Sequence, residues 1–187
     1  MPDPPHSQES GADRPAVLLE ESFVDAPYEL FHWLLTHVDW DRRMKARLTA
    51  SFGQPYDYAG ISYVEAPMPE LLQRICEQLR HRLGFLPTNC LINYYPDGNS
   101  KMGFHADDIA ELEAGTGVAI VSLGGSRPLR FRRMGDASVR HEIIQPPGSM
   151  LYMSQDVHRE WVHAIPRRGY AEPRISLTFR KLKPRGA

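Results

Sequence analysis

The sequence predicts a mainly β chain with flanking helices, an α+β fold whose strands close into a double-stranded β-helix, or jelly roll. Helical periodicity is confined to the first half of the chain. From Pro87 onward it disappears and short β-like runs recur: NCLINYY, GVAIVSL, LRFRRM, VRHEIIQ, SMLYM, WVHAI and RISLTFRKL. The GG, GD and PPG turns between them argue for a sandwich or closed barrel rather than a parallel sheet, and a jelly roll with a metal in its mouth is the natural candidate. A length of 187 residues with 42% hydrophobic content suits one domain with a sizeable core, not two.

In chain order, residues 1–15 are rich in Pro, Ser, Asp and Gly and read as a disordered leader. The domain is expected over 16–183, with a short tail at 184–187. VLLEESFV, from Val17, reads as a strand and turn, after which Asp25 is expected to cap a helix. Pro27 falls in its first turn, and Leu30, Phe31, Leu34 and Leu35 form its inner face. A second helix is expected from Met68 or Pro69 to Leu83, with Leu72, Ile75, Leu79 and Leu83 at helical spacing and Gly84 as the stop. Between the helices, Arg42, Arg43, Lys45 and Arg47 are interleaved with Phe52, Tyr56, Tyr58 and Tyr63. That mixture suits a phosphate backbone with stacked bases, and equally a solvated basic turn followed by a tyrosine-rich edge strand.

Composition excludes some classes. Lys plus Arg is 22 against 23 for Asp plus Glu, so no global basic charge points to nucleic acid or an anionic membrane; a polyanion would need a local patch. Cys76 and Cys90 lie in a helical and a strand pattern and read as small buried hydrophobes in a reducing compartment. With no apolar signal core and no window approaching the roughly 20 apolar residues of a membrane span, a soluble cytoplasmic protein is expected, without membrane partners and as a monomer.

The chemistry centres on NYYPDGNSKMGFHAD, Asn93 to Asp107. On an extended strand His105 and Asp107 share one face, and one imidazole with one carboxylate makes two thirds of the facial triad that holds non-heme Fe(II). His163, in WVHAIP, is the candidate third ligand. In the closing strand Arg174, Ser176, Thr178 and Arg180 share one face while Ile175, Leu177 and Phe179 share the other, and two arginines on a buried face demand an anion.

LINYYPDGNSKMGFHADD, GSMLYMSQDVHREWVHAIP and PRISLTFRK together resemble the AlkB family of Fe(II)- and 2-oxoglutarate-dependent dioxygenases, from about Arg47 to Lys181. The resemblance implies that His105, Asp107 and His163 bind Fe(II), and that Asn93, Tyr95, Arg174 and Arg180 hold 2-oxoglutarate. It further implies O2 as oxidant, succinate and CO2 as coproducts, and hydroxylation of an N-methyl group that leaves as formaldehyde. Alkylated bases in DNA or RNA, such as 1-methyladenine and 3-methylcytosine, are the expected substrates. Tyr58 matches the aromatic position that stacks on a flipped base opposite His105, and Arg47 matches a basic lid position near the nucleic acid. The chain departs from many repair members two residues beyond Asp107, where Ile109 replaces an acidic residue; Asp108 points to the other face. Alternatives are a relaxed member that hydroxylates a modified tRNA base or a protein side chain, and a jelly-roll binding module without turnover.

Physical chemistry supports the diacid expectation independently. Asn93 and Tyr95 are an i, i+2 pair and face one side of a strand, while Arg174 and Arg180 lie roughly 20 Å apart along theirs, within reach of the two ends of a short dicarboxylate. The planar guanidinium bonds a carboxylate in two places, which a lysine cannot do.

Overall fold

The computed structural model describes residues 14–184. The leader expected over 1–15 and the tail over 184–187 therefore lie almost wholly outside the described residues, although Pro15 is already buried. In chain order the elements are β1 (Val17–Glu20), α1 (Pro27–His37), β2 (Leu48–Gly53), β3 (Tyr56–Tyr58), β4 (Ile61–Tyr63) and α2 (Glu70–Leu83). There follow β5 (Asn89–Tyr95), β6 (Met102–His105), a 3-10 turn at Ile109–Glu111, β7 (Gly117–Gly124), β8 (Arg127–Arg133), β9 (Arg140–Gln145) and β10 (Met150–Ser154). A short α3 (Gln155–Glu160), β11 (Trp161–Ile165) and β12 (Arg174–Arg180) complete the order.

Helix α1 begins with Pro27, whose fixed φ suits a first helical position, and buries Leu30, Phe31 and Leu34. Asp25 does not cap it: the cap position falls on Ala26, without a side-chain hydrogen bond. Helix α2 buries Leu72, Ile75, Cys76 and Leu79 and ends where Gly84 turns left-handed at φ 81°, a conformation that costs glycine nothing. The strand runs expected after Pro87 form within a residue or two of their expected bounds. Strand β6 is the extended segment expected around His105, but it stops at His105 itself; the 3-10 turn and α3, in the polar stretch QDVHRE, have no counterpart in the sequence reading.

The strands build two antiparallel sheets, six-stranded in the order β1-β10-β7-β12-β5-β2 and four-stranded in the order β6-β11-β8-β9, beside a small β3-β4 hairpin. Central β12 pairs with both β5 and β7 along its full length. Its Ile175, Leu177 and Phe179 join Cys90, Ile92, Ala119 and Val121 in one cluster with both helices, each large side chain contributing roughly 1.5–3 kcal/mol by leaving water. The opposite face of the same sheet packs Leu91, Tyr95, Val118 and Ile120 against Leu129, Phe131, Trp161 and Ile165 of the smaller sheet. This is the jelly roll the sequence predicts, with Arg174, Ser176, Thr178 and Arg180 buried between the sheets. Among the described residues no helix is long and apolar enough to cross a membrane.

Candidate active site

A cavity between the sheets is lined by Tyr58, Asn93, Tyr95, Met102, His105, Asp107, Gln145, His163, Arg174 and Arg180, with apolar walls from Leu91, Ile120, Leu129 and Ile165. His105 ends β6 and His163 lies in β11, and antiparallel pairing sets them directly opposite each other, with ring centroids 4.4 Å apart. Asp107 lies beyond the strand end rather than on a continued strand, yet His105, Asp107 and His163 each offer a ligand atom within 4.8 Å of the other two.

His105 and Asp107 are each oriented by a second contact. His105 Nδ1 is 3.0 Å from the Gly103 carbonyl, which can only accept, so that nitrogen carries the proton and Nε2 keeps its lone pair. Burial pulls the His163 imidazole down to about 3, so at neutral pH it is uncharged and able to donate its lone pair. Asp107 is buried, and burial, the largest single influence, would raise its carboxyl; the Arg180 guanidinium and the surrounding imidazoles of His163, His158 and His105 together more than offset this and hold it well below the usual carboxylate range. Arg180 Nη2 bonds Asp107 Oδ1, while Oδ2 faces His163 Nε2 at 3.7 Å and His158 Nδ1 at 3.8 Å. The donor set of two imidazoles and one carboxylate fits a divalent iron.

The two arginines of β12 have distinct settings. Arg174 donates through Nε to Ser122 Oγ at 2.9 Å and through Nη2 to Gln145 Oε1 at 3.1 Å, leaving Nη1 buried without a partner. Burial lowers Arg174 to about 10, so it stays cationic at neutral pH. The buried Nε of Arg180 likewise lacks a partner among the described residues. Two buried cations with spare N–H groups in one cavity fit a small dianion, because an unpaired buried donor is costly.

Tyr58 stands edge-on to His105, centroids 6.3 Å apart, and burial raises its phenol to about 12, so the hydroxyl remains a donor. Arg47, the expected basic lid residue, is buried, bonding Asn93 Oδ1 through Nε at 2.6 Å and Tyr58 Oη through Nη2 at 2.9 Å. Its place just before β2, which pairs with β5 and sets Thr49 opposite Asn93, turns the side chain inward. Asp108 spends its carboxylate on the 3-10 turn, accepting from Ala110 N at 2.9 Å, and Ile109 packs on the inter-sheet cluster.

Sequence reasoning missed Ser122, Gln145 and Met102. Ser122 interrupts an apolar run and Gln145 ends an alternating one on its buried face; those breaks were the available signals. Met102 gives none, being one apolar residue that accepts from both Tyr58 Oη at 3.6 Å and Tyr95 Oη at 3.7 Å.

The chain matches the family described as the 2OG-Fe(II) oxygenase superfamily over residues 33–180. It belongs to the 2OG-Fe(II) oxygenase superfamily. This 2OG-Fe(II) oxygenase is 34% identical over 140 residues to the cattle (Bos taurus) protein named DNA oxidative demethylase ALKBH2, a match covering 71% of this chain and 50% of that protein. It is 30% identical over 199 residues to mouse alpha-ketoglutarate-dependent dioxygenase alkB homolog 3, covering 91% of this chain and 68% of that protein. The chain thus spans about half the length of the ALKBH2 protein it matches. Among solved structures, OsALKBH1 shares the fold with a TM-score of 0.65 at 17% identity, covering 90% of this chain and 99% of that one. Membership brings Fe(II), 2-oxoglutarate and O2 as the superfamily's reagents, and the His-Asp-His cluster is a matching metal site.

Proposed function

We propose that this oxygenase removes methyl groups oxidatively from alkylated bases, such as 1-methyladenine and 3-methylcytosine, in DNA or RNA. The observation that carries the reading is the His105–Asp107–His163 cluster sharing one cavity with two buried arginines that keep unpartnered N–H groups. The name of the ALKBH2 relative, a DNA oxidative demethylase, supports the nucleic-acid substrate.

In this reading His105, Asp107 and His163 hold Fe(II), and Asn93, Tyr95, Arg174 and Arg180 hold 2-oxoglutarate. When bound, these reagents supply the oxidising chemistry that hydroxylates the N-methyl carbon, after which formaldehyde departs. Arg180 pins one oxygen of Asp107 and leaves the other for the metal. Arg174, braced by Ser122 and Gln145, takes one carboxylate of the diacid. Leu91, Ile120, Leu129 and Ile165 keep bulk water from the reacting atoms. Tyr58, beside His105, stacks on the extruded base. The protein acts as one domain over about 16–183 and as a cytoplasmic monomer; two free buried cysteines support a reducing compartment.

Asp108 and Ile109 favour a second reading, a relaxed enzyme that hydroxylates a modified tRNA base or a protein side chain. Asp108 Oδ1 accepts from the Ala110 N–H of its own turn, and Ile109 has no acceptor to offer a base's exocyclic amine. Methylated DNA and RNA oligonucleotides incubated in parallel with Fe(II), ascorbate and 2-oxoglutarate separate the two by mass spectrometry. Demethylation with formaldehyde release is expected; succinate formation without change in any oligonucleotide overturns the base-demethylase reading. A third possibility, binding without turnover, predicts no charge-transfer band on anaerobic mixing of Fe(II) and 2-oxoglutarate.

A further inference from the structure

Among the described residues, Arg47 is a buried cation whose hydrogen-bond partners are all neutral: the Asn93 amide oxygen, the Tyr58 hydroxyl and the Lys101 carbonyl. A guanidinium only donates, so the oxygen of the Asn93 amide must face Arg47 and its NH2 must face away. Asn93 lines the cavity, so its amide presents a donor there rather than an acceptor. Tyr58 Oη accepts from Arg47 and donates to Met102 Sδ, which fixes the phenol at its polar end and leaves the ring against His105. The Arg47 guanidinium carbon also lies 5.5 Å from the Tyr58 ring centroid.

Resting on the proposed function above, we infer that Arg47 is a positioning residue: it aims the Asn93 amide at the 2-oxoglutarate subsite and holds the Tyr58 ring at the base subsite, so that filling one subsite changes affinity at the other. A single planar fork bonds both side chains, and a shift that lengthens one bond strains the second. Lysine at this position has the charge but cannot make both bonds in fixed directions.

Calorimetric titration of 2-oxoglutarate into the Mn(II)-loaded protein, without nucleic acid, reads the first half. Arg47→Met should weaken 2-oxoglutarate about tenfold or more, with Arg47→Lys intermediate, as expected for a misaimed donor to a charged acceptor. Asn93→Asp keeps an acceptor for Arg47 but turns an oxygen toward the diacid, and should weaken 2-oxoglutarate at least as much. Thermal melts within a few degrees of the parent protein separate these effects from misfolding, and Arg47→Lys serves if Arg47→Met does not fold. The second half is read by titrating a methylated single-stranded oligonucleotide with and without saturating 2-oxoglutarate. The parent protein should show a severalfold change in affinity that Arg47→Met abolishes. Unchanged 2-oxoglutarate affinity in Arg47→Met, with oligonucleotide binding weakened at every sequence and a shallower salt dependence, overturns the positioning role in favour of a backbone-phosphate contact. If the parent protein binds no oligonucleotide, the nucleic-acid reading and the coupling both fall, while the 2-oxoglutarate titration still decides the role of Arg47 toward Asn93.

Discussion

Arg180 bonds Asp107 through Nη2, and its buried Nε, without a partner among the described residues, is the donor proposed for 2-oxoglutarate. Lysine there keeps the charge and loses the fork, so Arg180→Lys should raise the 2-oxoglutarate requirement about tenfold or more. Because Asp107 loses its brace as well, metal affinity should fall in the same variant; titration of each ligand separately checks both. Loss of a ligand is cleaner. His105→Ala or Asp107→Ala should abolish 2-oxoglutarate decarboxylation while far-UV circular dichroism stays near that of the parent, since the cluster lies beside a cavity rather than in the helix-facing core. Tyr58→Ala removes no metal or cosubstrate ligand. It should remove a stacking contact worth about 1–3 kcal/mol, raising the substrate requirement roughly tenfold or more, with uncoupled decarboxylation retained. A Tyr58→Ala enzyme with unaltered activity on every nucleic acid would move the protein- or small-molecule-hydroxylase reading ahead.

At the scale of the element, β12 shows how one seven-residue strand serves stability and chemistry together. Its apolar face anchors the helices, and its polar face lines the cavity. The division was legible because alternation has a period of two and both faces are extreme in character. Helix α2 has the complementary task of covering the sheet, and Leu79 is fully buried in that contact. Leu79→Ala should cost about 2–5 kcal/mol, measured by denaturant unfolding, with the turnover of the protein that remains folded unchanged. An element without such patterning stayed hidden: α3 lies within a run of polar residues.

For the whole molecule, closure of two sheets around one cavity makes ligand binding a folding event for the groups inside. Mn(II) with 2-oxoglutarate should therefore raise the melting temperature, by about 2.7 kcal/mol of stabilisation at a hundredfold excess over Kd. For a chain of this size each kcal/mol corresponds to roughly 2–4 °C. A chelator should reverse the shift, and Asp107→Ala should show none; an equal shift in Asp107→Ala would place the metal elsewhere.

Local periodicity and residue type determined much by themselves. The two long helices, the strand-rich second half, the two faces of β12 and the shared face of Asn93 and Tyr95 all follow from side-chain spacing along one element, which tertiary structure cannot change. Spacing does not encode which strands become neighbours, and that is where the structure decided. It set His163 opposite His105 through the β11–β6 register, brought Ser122 and Gln145 to Arg174, and placed Arg47 in the gap between Asn93 and Tyr58. Each of these is a contact between distant parts of the chain, fixed by the closing of the sheets and not by the residues on either side of it.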